Sequence, residues 1–171
     1  MKFGFALRRL ALIGPGKAPA EVTFTRGLNV IAGPSDSGKS FIAQCLDYAL
    51  GGGAAPKEIA EAEGYSSVVI DIEANSDGRV YSLERSLHGG EVLCKTDEQP
   101  DRVLSAKHQA GKEDTVSQFL LDLSGLGTKK VRTNEQGKTR PLSFRDIAQL
   151  VIIDEETVIK ENSPVLSGQV I

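Results

Sequence analysis

Gly33-Pro34-Ser35-Asp36-Ser37-Gly38-Lys39-Ser40 fits the pattern G-x-x-x-x-G-K-[ST]. The chemistry that this spacing suits is the binding of a polyphosphate. Backbone N–H groups from about Ser35 to Ser40 have to turn inward around an anion. Gly33 begins the sharp turn, and Gly38 lets the backbone come close to a β-phosphate with no Cβ in the way. A helix leaving the loop would aim its orphan amides and the positive end of its dipole at the same place. Lys39 would bring a cation to the β- and γ-phosphates, and Ser40 a hydroxyl ligand for Mg²⁺. The candidate set is Gly33, Pro34, Ser35, Asp36, Ser37, Gly38, Lys39, Ser40 and Phe41, and the expected ligands are ATP and Mg²⁺.

Two elements must position this loop. Leu28-Asn29-Val30-Ile31-Ala32 reads as a short buried strand leading into it. After it, Ile42, Cys45, Leu46, Ala49 and Leu50 recur at helical period, and Gly51-Gly52-Gly53 ends the helix. Upstream, Phe3–Leu12 reads as a strand, Gly14–Lys17 as a turn, and Glu21–Thr25 as a second strand. Arg8-Arg9 and Ala18-Pro19-Ala20 mimic a secretion signal. The uncharged apolar run between them is only Leu10–Ile13, whereas a signal needs about 7–15 residues.

Beyond the loop unit (residues 1–53) the period changes to two. Val68, Ile70 and Ile72 alternate with Val69, Asp71 and Glu73, and Asn75–Gly78 makes a hairpin turn. Arg79–Leu87 alternates again and Glu91–Lys95 follows, so residues 64–96 predict an antiparallel meander, preceded by a short helical piece at Lys57–Glu63. Thr96–Glu113 reads as a polar loop. The remainder, 114–171, carries a helix through Val116, Phe119, Leu120 and Leu123 capped by Asp114 or Thr115, then a polar stretch at Lys129–Arg140. Ser143 and Asp146 form a capping-box pattern for a helix reaching about Leu150.

Composition bounds the rest. The chain has 171 residues, 40% hydrophobic and 25% charged, enough for one α/β domain or part of a larger one. A net charge of −3 does not advertise nucleic-acid binding, so any such surface has to be local. Lys129, Lys130, Arg132, Lys138 and Arg140 cluster against Glu135 alone, as a DNA-facing hairpin or as a solvated loop. Cys45 and Cys94 match no zinc spacing and read as reduced thiols of a cytoplasmic protein. His88 and His108 read as surface residues. No segment has the roughly 18 apolar residues of a membrane span, so no membrane partner is expected.

From Gly27 through Ser40, continuing to Leu50-Gly51-Gly52, the chain resembles the N-terminal nucleotide-binding lobe of SMC/RecN/RecF-type ATPases. These are the ABC-class heads of chromosome, DNA-repair and phage-defence machines. The family shows G-L-N-x-I-x-G-x-N-x-S-G-K-S, then a helix, then L-G. Here Ser35 stands where Asn is usual and Asp36 where Gly is usual; Asp tolerates unusual backbone angles better than most residues. The resemblance implies an α/β P-loop NTPase fold, an ABC/SMC-head-like N-terminal lobe with an antiparallel β meander beside the P-loop core. It implies ATP, Mg²⁺, DNA, and a C-terminal lobe or second ATPase head as partners. The family's signature motif and Walker B Asp-Glu lie beyond a long insert, so a fragment or split half-domain is expected.

Val151-Ile152-Ile153-Asp154-Glu155 has the Walker B pattern and sits where the family's Q-loop strand would fall. As Walker B, Asp154 would hold Mg²⁺ through water and Glu155 would polarise the attacking water. As a Q-loop-like segment, Gln149, Asp154 or Glu155 would sense the metal or the γ-phosphate. An acidic turn of purely structural use is the third reading. Leu123–Gly127 and Leu166–Gln169 echo the ABC signature, the first being more simply a helix cap. Three functions stay open: an ATPase head or half-head, a self-contained small P-loop enzyme, and a non-catalytic module that assembles on nucleotide.

Overall fold

The alternating segments pair into one sheet. The computed structural model describes residues 3–109 and 111–153. Strands β1 (Phe5–Ile13), β2 (Ala20–Thr23), β3 (Ser67–Ala74), β4 (Val80–Ser86), β5 (Val92–Thr96) and β6 (Gln99–Leu104) lie in the order β2-β1-β3-β4-β5-β6. Every pairing in it is antiparallel. Register fixes which side chains face inward. Leu10, Ile70, Leu83 and Cys94 oppose one another in a row across the sheet, and Leu12, Val68, Arg85, Val92 and Leu104 form a second row.

Two helices close over these rows. Helix α1 (Lys39–Ala49) buries Cys45, Leu46, Tyr48 and Ala49, and helix α2 (Val116–Leu123) buries Val116, Phe119, Leu120 and Leu121. Sheet and helices share one core, in which each fully buried Leu or Ile contributes about 1.5–3 kcal/mol. The Phe119 ring meets the edge of Tyr81 at 5.2 Å. Both helices end in the same way. Gly51, at φ 96, and Gly125, at φ 69, take the left-handed turn, and the next residues return N–H bonds to Asp47 and Leu121. The signature-like Leu123–Gly127 is thus the C-cap of α2. Its N-cap is Thr115, whose hydroxyl accepts from the Gln118 N–H at 3.0 Å.

Several expectations are corrected. Thr96–Glu113 is not all loop: Gln99–Leu104 forms edge strand β6. An edge strand needs only one buried side, here Leu104, and tolerates Pro100, so neither period nor composition betrays it. Lys57–Glu63 shrinks to a single 3₁₀ turn, Ala60–Ala62. Of the two readings of Lys129–Arg140, hairpin or solvated loop, the chain takes the hairpin, with strands β7 (Lys130–Arg132) and β8 (Thr139–Pro141) in a separate sheet. His108 is half-buried rather than on the surface, while His88 is exposed.

A bulge shapes the outer face. Pairing of β1 with β3 slips between Leu7 and Arg9, which turns the consecutive Arg8 and Arg9 to the same side. Arg8 bonds Glu73 at 2.7 Å and Arg9 bonds Asp71 at 2.7 Å; Arg26 also reaches Glu73. The Arg8 and Arg9 pairs, partly buried at Glu73 and Asp71, tie β1 to β3 in its shifted register.

One charged group lies inside. Arg85 is buried, stacks 3.7 Å over the Tyr48 ring, and donates to the carbonyls of Tyr48 at 2.7 Å and Gly52 at 2.8 Å. Burial pulls its pKa down, although the cation at the C-terminal end of α1 complements the helix dipole. Tyr48 donates in return to the Ser86 carbonyl at 2.7 Å. The far end of α1 is therefore fastened to β4. Replacement of Arg85 by Leu removes the guanidinium donor from the Gly52 carbonyl, leaves the Tyr48 carbonyl only the Gly51 N–H, and should lower stability by about 1–3 kcal/mol in urea unfolding. A loss below about 0.5 kcal/mol would show that the fastening is not needed.

Candidate functional site: the phosphate-type loop

Residues 33–38 turn between two segments of different fate. Asn29 pins the turn before the loop: its Oδ1 accepts from the Thr25 N–H at 3.0 Å, and its Nδ2 donates to the carbonyls of Thr25 at 2.8 Å and Gly27 at 3.1 Å. Gly27, at φ 93, supplies the bend. The Phe24 N–H still bonds the Arg8 carbonyl at 2.8 Å; after that the chain leaves the sheet. The expected buried strand at Leu28–Ala32 does not form. Leu28 is 90% and Val30 77% exposed. A strand needs a neighbour to pair with; both sides of β1 are taken by β2 and β3, and the run pairs with no strand among the described residues.

The loop itself has the expected curl. Asp36 lies at φ 58 and Gly38 at φ 80, both left-handed. A Cβ on Gly38 would meet nothing within 4 Å, so its glycine is required by the backbone angle and not by crowding in the protein. At Gly33 a Cβ would come within 2.8 Å of Ser37 Oγ, which donates to the Pro34 carbonyl at 2.8 Å. Lys39 folds back over the curl. Its ammonium donates to the Gly33 carbonyl at 2.8 Å, to the Pro34 carbonyl and to Ser37 Oγ at 3.3 Å.

Helix α1 begins here with its N-terminus open. No side chain caps Gly38, and the first turn carries no acid. An isolated helix end with neither feature leaves its first amides to water or to an anion. Ser40 is exposed in that turn, and Phe41 is half-buried against the core. The loop opens on a cleft of about 890 Å³, walled by Leu12 and Val22 from β1 and β2 and by Ile59 and Lys57 opposite. That size lies in the range of small-molecule sites, roughly 300–1,000 Å³. Cys45 lines the cleft, and burial pushes its thiol up to about 12, so it acts as a neutral apolar wall. Gly33 and Pro34 are the two expected residues set back from this lining; Ser35 through Phe41 all line it.

The other candidates are placed differently. Val151 is the last residue of α3 (Arg145–Val151), and Ile152 and Ile153 follow without strand pairing. The apolar run is thus not the strand that either a Walker B or a Q-loop reading requires: Val151 is 65% and Ile153 55% exposed. Asp154, Glu155 and the Leu166–Gln169 match lie outside the described residues. Among the described residues no cluster of His, Cys, Asp or Glu is built to hold a metal ion.

The basic residues of 129–140 do gather on the β7–β8 hairpin, but two of them are engaged within the fold. Arg132 donates to the Asn134 carbonyl at 2.8 Å, and Arg140 grips Asp146 with two bonds of 2.7 and 2.8 Å. Asp146 also accepts from the Ser143 N–H at 2.9 Å, while Ser143 Oγ accepts from Arg145 at 3.3 Å. This is the capping box, with Arg140 added to it. From the same helix, Arg145 pairs with Asp47 of α1.

A family model described as an AAA domain matches residues 16–163. The chain belongs to that AAA domain family, of the P-loop NTPase type found in SMC-like proteins. Its α/β fold, with a mainly antiparallel sheet, is consistent with such a domain, and the family points to nucleotide binding of the ATPase kind. No curated protein matches the chain. None of the described helices is long and apolar enough to cross a membrane.

Arg140, and after it the Ser143 N–H, hold the Asp146 carboxyl below its ordinary value. A depressed carboxyl stabilises the fold above its unfolded pKa of about 3.9, and that gain is lost as pH falls through the folded value. Asp146→Asn should therefore be less stable than the parent at pH 7, and the gap should close as pH drops below about 4. Urea unfolding at pH 7 and at successively lower pH measures it; a gap that persists in acid would contradict the assignment.

Proposed function

We propose that this chain is the ATP·Mg²⁺-binding lobe of an SMC/RecN-like ATPase, cytoplasmic, serving DNA repair, chromosome maintenance or phage defence. Hydrolysis would then need a C-terminal lobe or a second head. The observation that carries the reading is the curl from Gly33 to Gly38 feeding the uncapped N-terminus of α1. The triphosphate would lie along the amides of Ser35 to Phe41, with the Lys39 ammonium swinging from the loop carbonyls to the phosphates. Ser40 Oγ would supply one ligand to Mg²⁺. In the self-contained alternative, Asp154 would be a metal ligand through water and Glu155 the residue that orients the attacking water.

The need for a partner is supported by the segment before the loop. Leu28, Val30 and Ile31 are apolar, exposed and unpaired, the condition of a strand whose neighbours come from elsewhere. The self-contained enzyme is disfavoured by the antiparallel order of the sheet and by the helical end at Val151. DNA as a partner rests on the β7–β8 hairpin, where Lys129, Lys130 and Lys138 are exposed.

Calorimetry of the purified chain should give weak binding of ATP·Mg²⁺, and Lys39→Ala should remove most of it. Unchanged affinity in that variant would contradict the site. Turnover by the chain alone should be barely measurable; steady hydrolysis abolished by Glu155→Gln would favour the self-contained enzyme instead.

A further inference from the structure

Asp36 is an anion inside an anion-binding curl. Among the described residues it is the one non-glycine residue with a left-handed backbone, at φ 58. It is exposed and lines the cleft beside Ser35 and Ser37. The cation closest in sequence does not neutralise it, because the Lys39 ammonium is held by the carbonyls of Gly33 and Pro34 and by Ser37 Oγ. The backbone angle does not call for a charge either. Glycine takes it freely, and asparagine takes it as readily as aspartate. The carboxylate is thus unexplained by the fold, and its effect falls on whatever enters the curl. Asp36 and Lys39 bring the loop's side-chain charge to zero, where Lys39 alone would make it positive.

We propose that Asp36 tunes the affinity of this site, weakening polyphosphate binding and speeding its release. This rests on the reading of the loop as the phosphate site. A carboxylate lining the same water-open cleft as the phosphates opposes binding on the order of tenfold. The repulsion is electrostatic, so salt screens it.

The test uses the whole chain and a fluorescent ATP analogue with Mg²⁺, followed by equilibrium titration and stopped-flow displacement. Asp36→Asn and Asp36→Gly should each bind about tenfold more tightly than the parent, chiefly through slower release, and the gap should narrow as NaCl rises. Asparagine keeps the side chain's shape and turn preference, so a gain shared by both variants isolates the charge. Equal or weaker binding by both variants, with the parent still binding and Lys39→Ala not, overturns this inference and leaves the phosphate site standing. Absence of binding in the parent and in both Asp36 variants overturns the site itself. A tightening that salt does not diminish also counts against the proposal, since it would reflect loop conformation.

Discussion

The N-terminus of a helix is a fixed electric object only if the helix is itself fixed. In α1 that constraint is met at the opposite end. Arg85 sits inside the core against Tyr48 and holds the Tyr48 carbonyl at the end of the helix and the Gly52 carbonyl just past it, while Tyr48 reaches across to Ser86. The buried face of Cys45, Leu46 and Ala49 then sets the rotation of the helix on the sheet. A buried guanidinium is costly by itself, and apolar replacement of such groups is often tolerated. Here the cost is offset by two carbonyl acceptors, by an aromatic face and by the negative end of the helix dipole. The open amides at Lys39–Phe41 are consequently aimed at the cleft by contacts made near Ala49, some four-fifths of a 16 Å helix away by the ordinary rise of about 1.5 Å per residue.

Much of this was legible in the sequence, and the reasons differ by element. The phosphate-type loop is local: its glycines answer to backbone angles and its lysine to a few neighbouring carbonyls, so type and spacing suffice. Helices α1 and α2 are half-buried, and a half-buried helix writes its period into the chain. Strands β3 and β4 do the same with period two. Strand β6 could not be read because an edge strand with one buried residue has no period to show. Leu28–Ala32 misled in the opposite direction. Its composition is that of a buried strand, but burial depends on a neighbour, and composition does not say whether the neighbour is in the same chain. The Val151–Ile153 run misled likewise, since three apolar residues can end a helix as well as form a strand.

Residues far apart in sequence made the contacts that sequence reasoning missed. Arg85 falls on the same face of β4 as Tyr81 and Leu83, yet nothing local marks it as the partner of Tyr48, 37 positions away. Arg140 was counted in a basic cluster, yet it is tied to Asp146 and completes a helix cap. The Arg140–Asp146 pair reduces the charge available to a polyanion, while Arg132 is held by backbone carbonyls of its own hairpin.

The linkage of these elements gives the site its surroundings. Hairpin β7–β8 is joined to α3 through Arg140 and Asp146, and α3 to α1 through Arg145 and Asp47. The cap of α3 and the phosphate-type loop thus lie on the two ends of one mechanical chain whose middle link is an exposed ion pair. Exposed pairs contribute little to stability, typically about 0–1 kcal/mol, so this link orients without locking. The loop is different: its shape is held by hydrogen bonds from Lys39 and Ser37 to its own carbonyls. On the proposed reading the lysine has to leave those carbonyls to reach a phosphate. The curl would then be held by the anion in place of the ammonium, and the opposing carboxylate of Asp36 decides how long that exchange lasts.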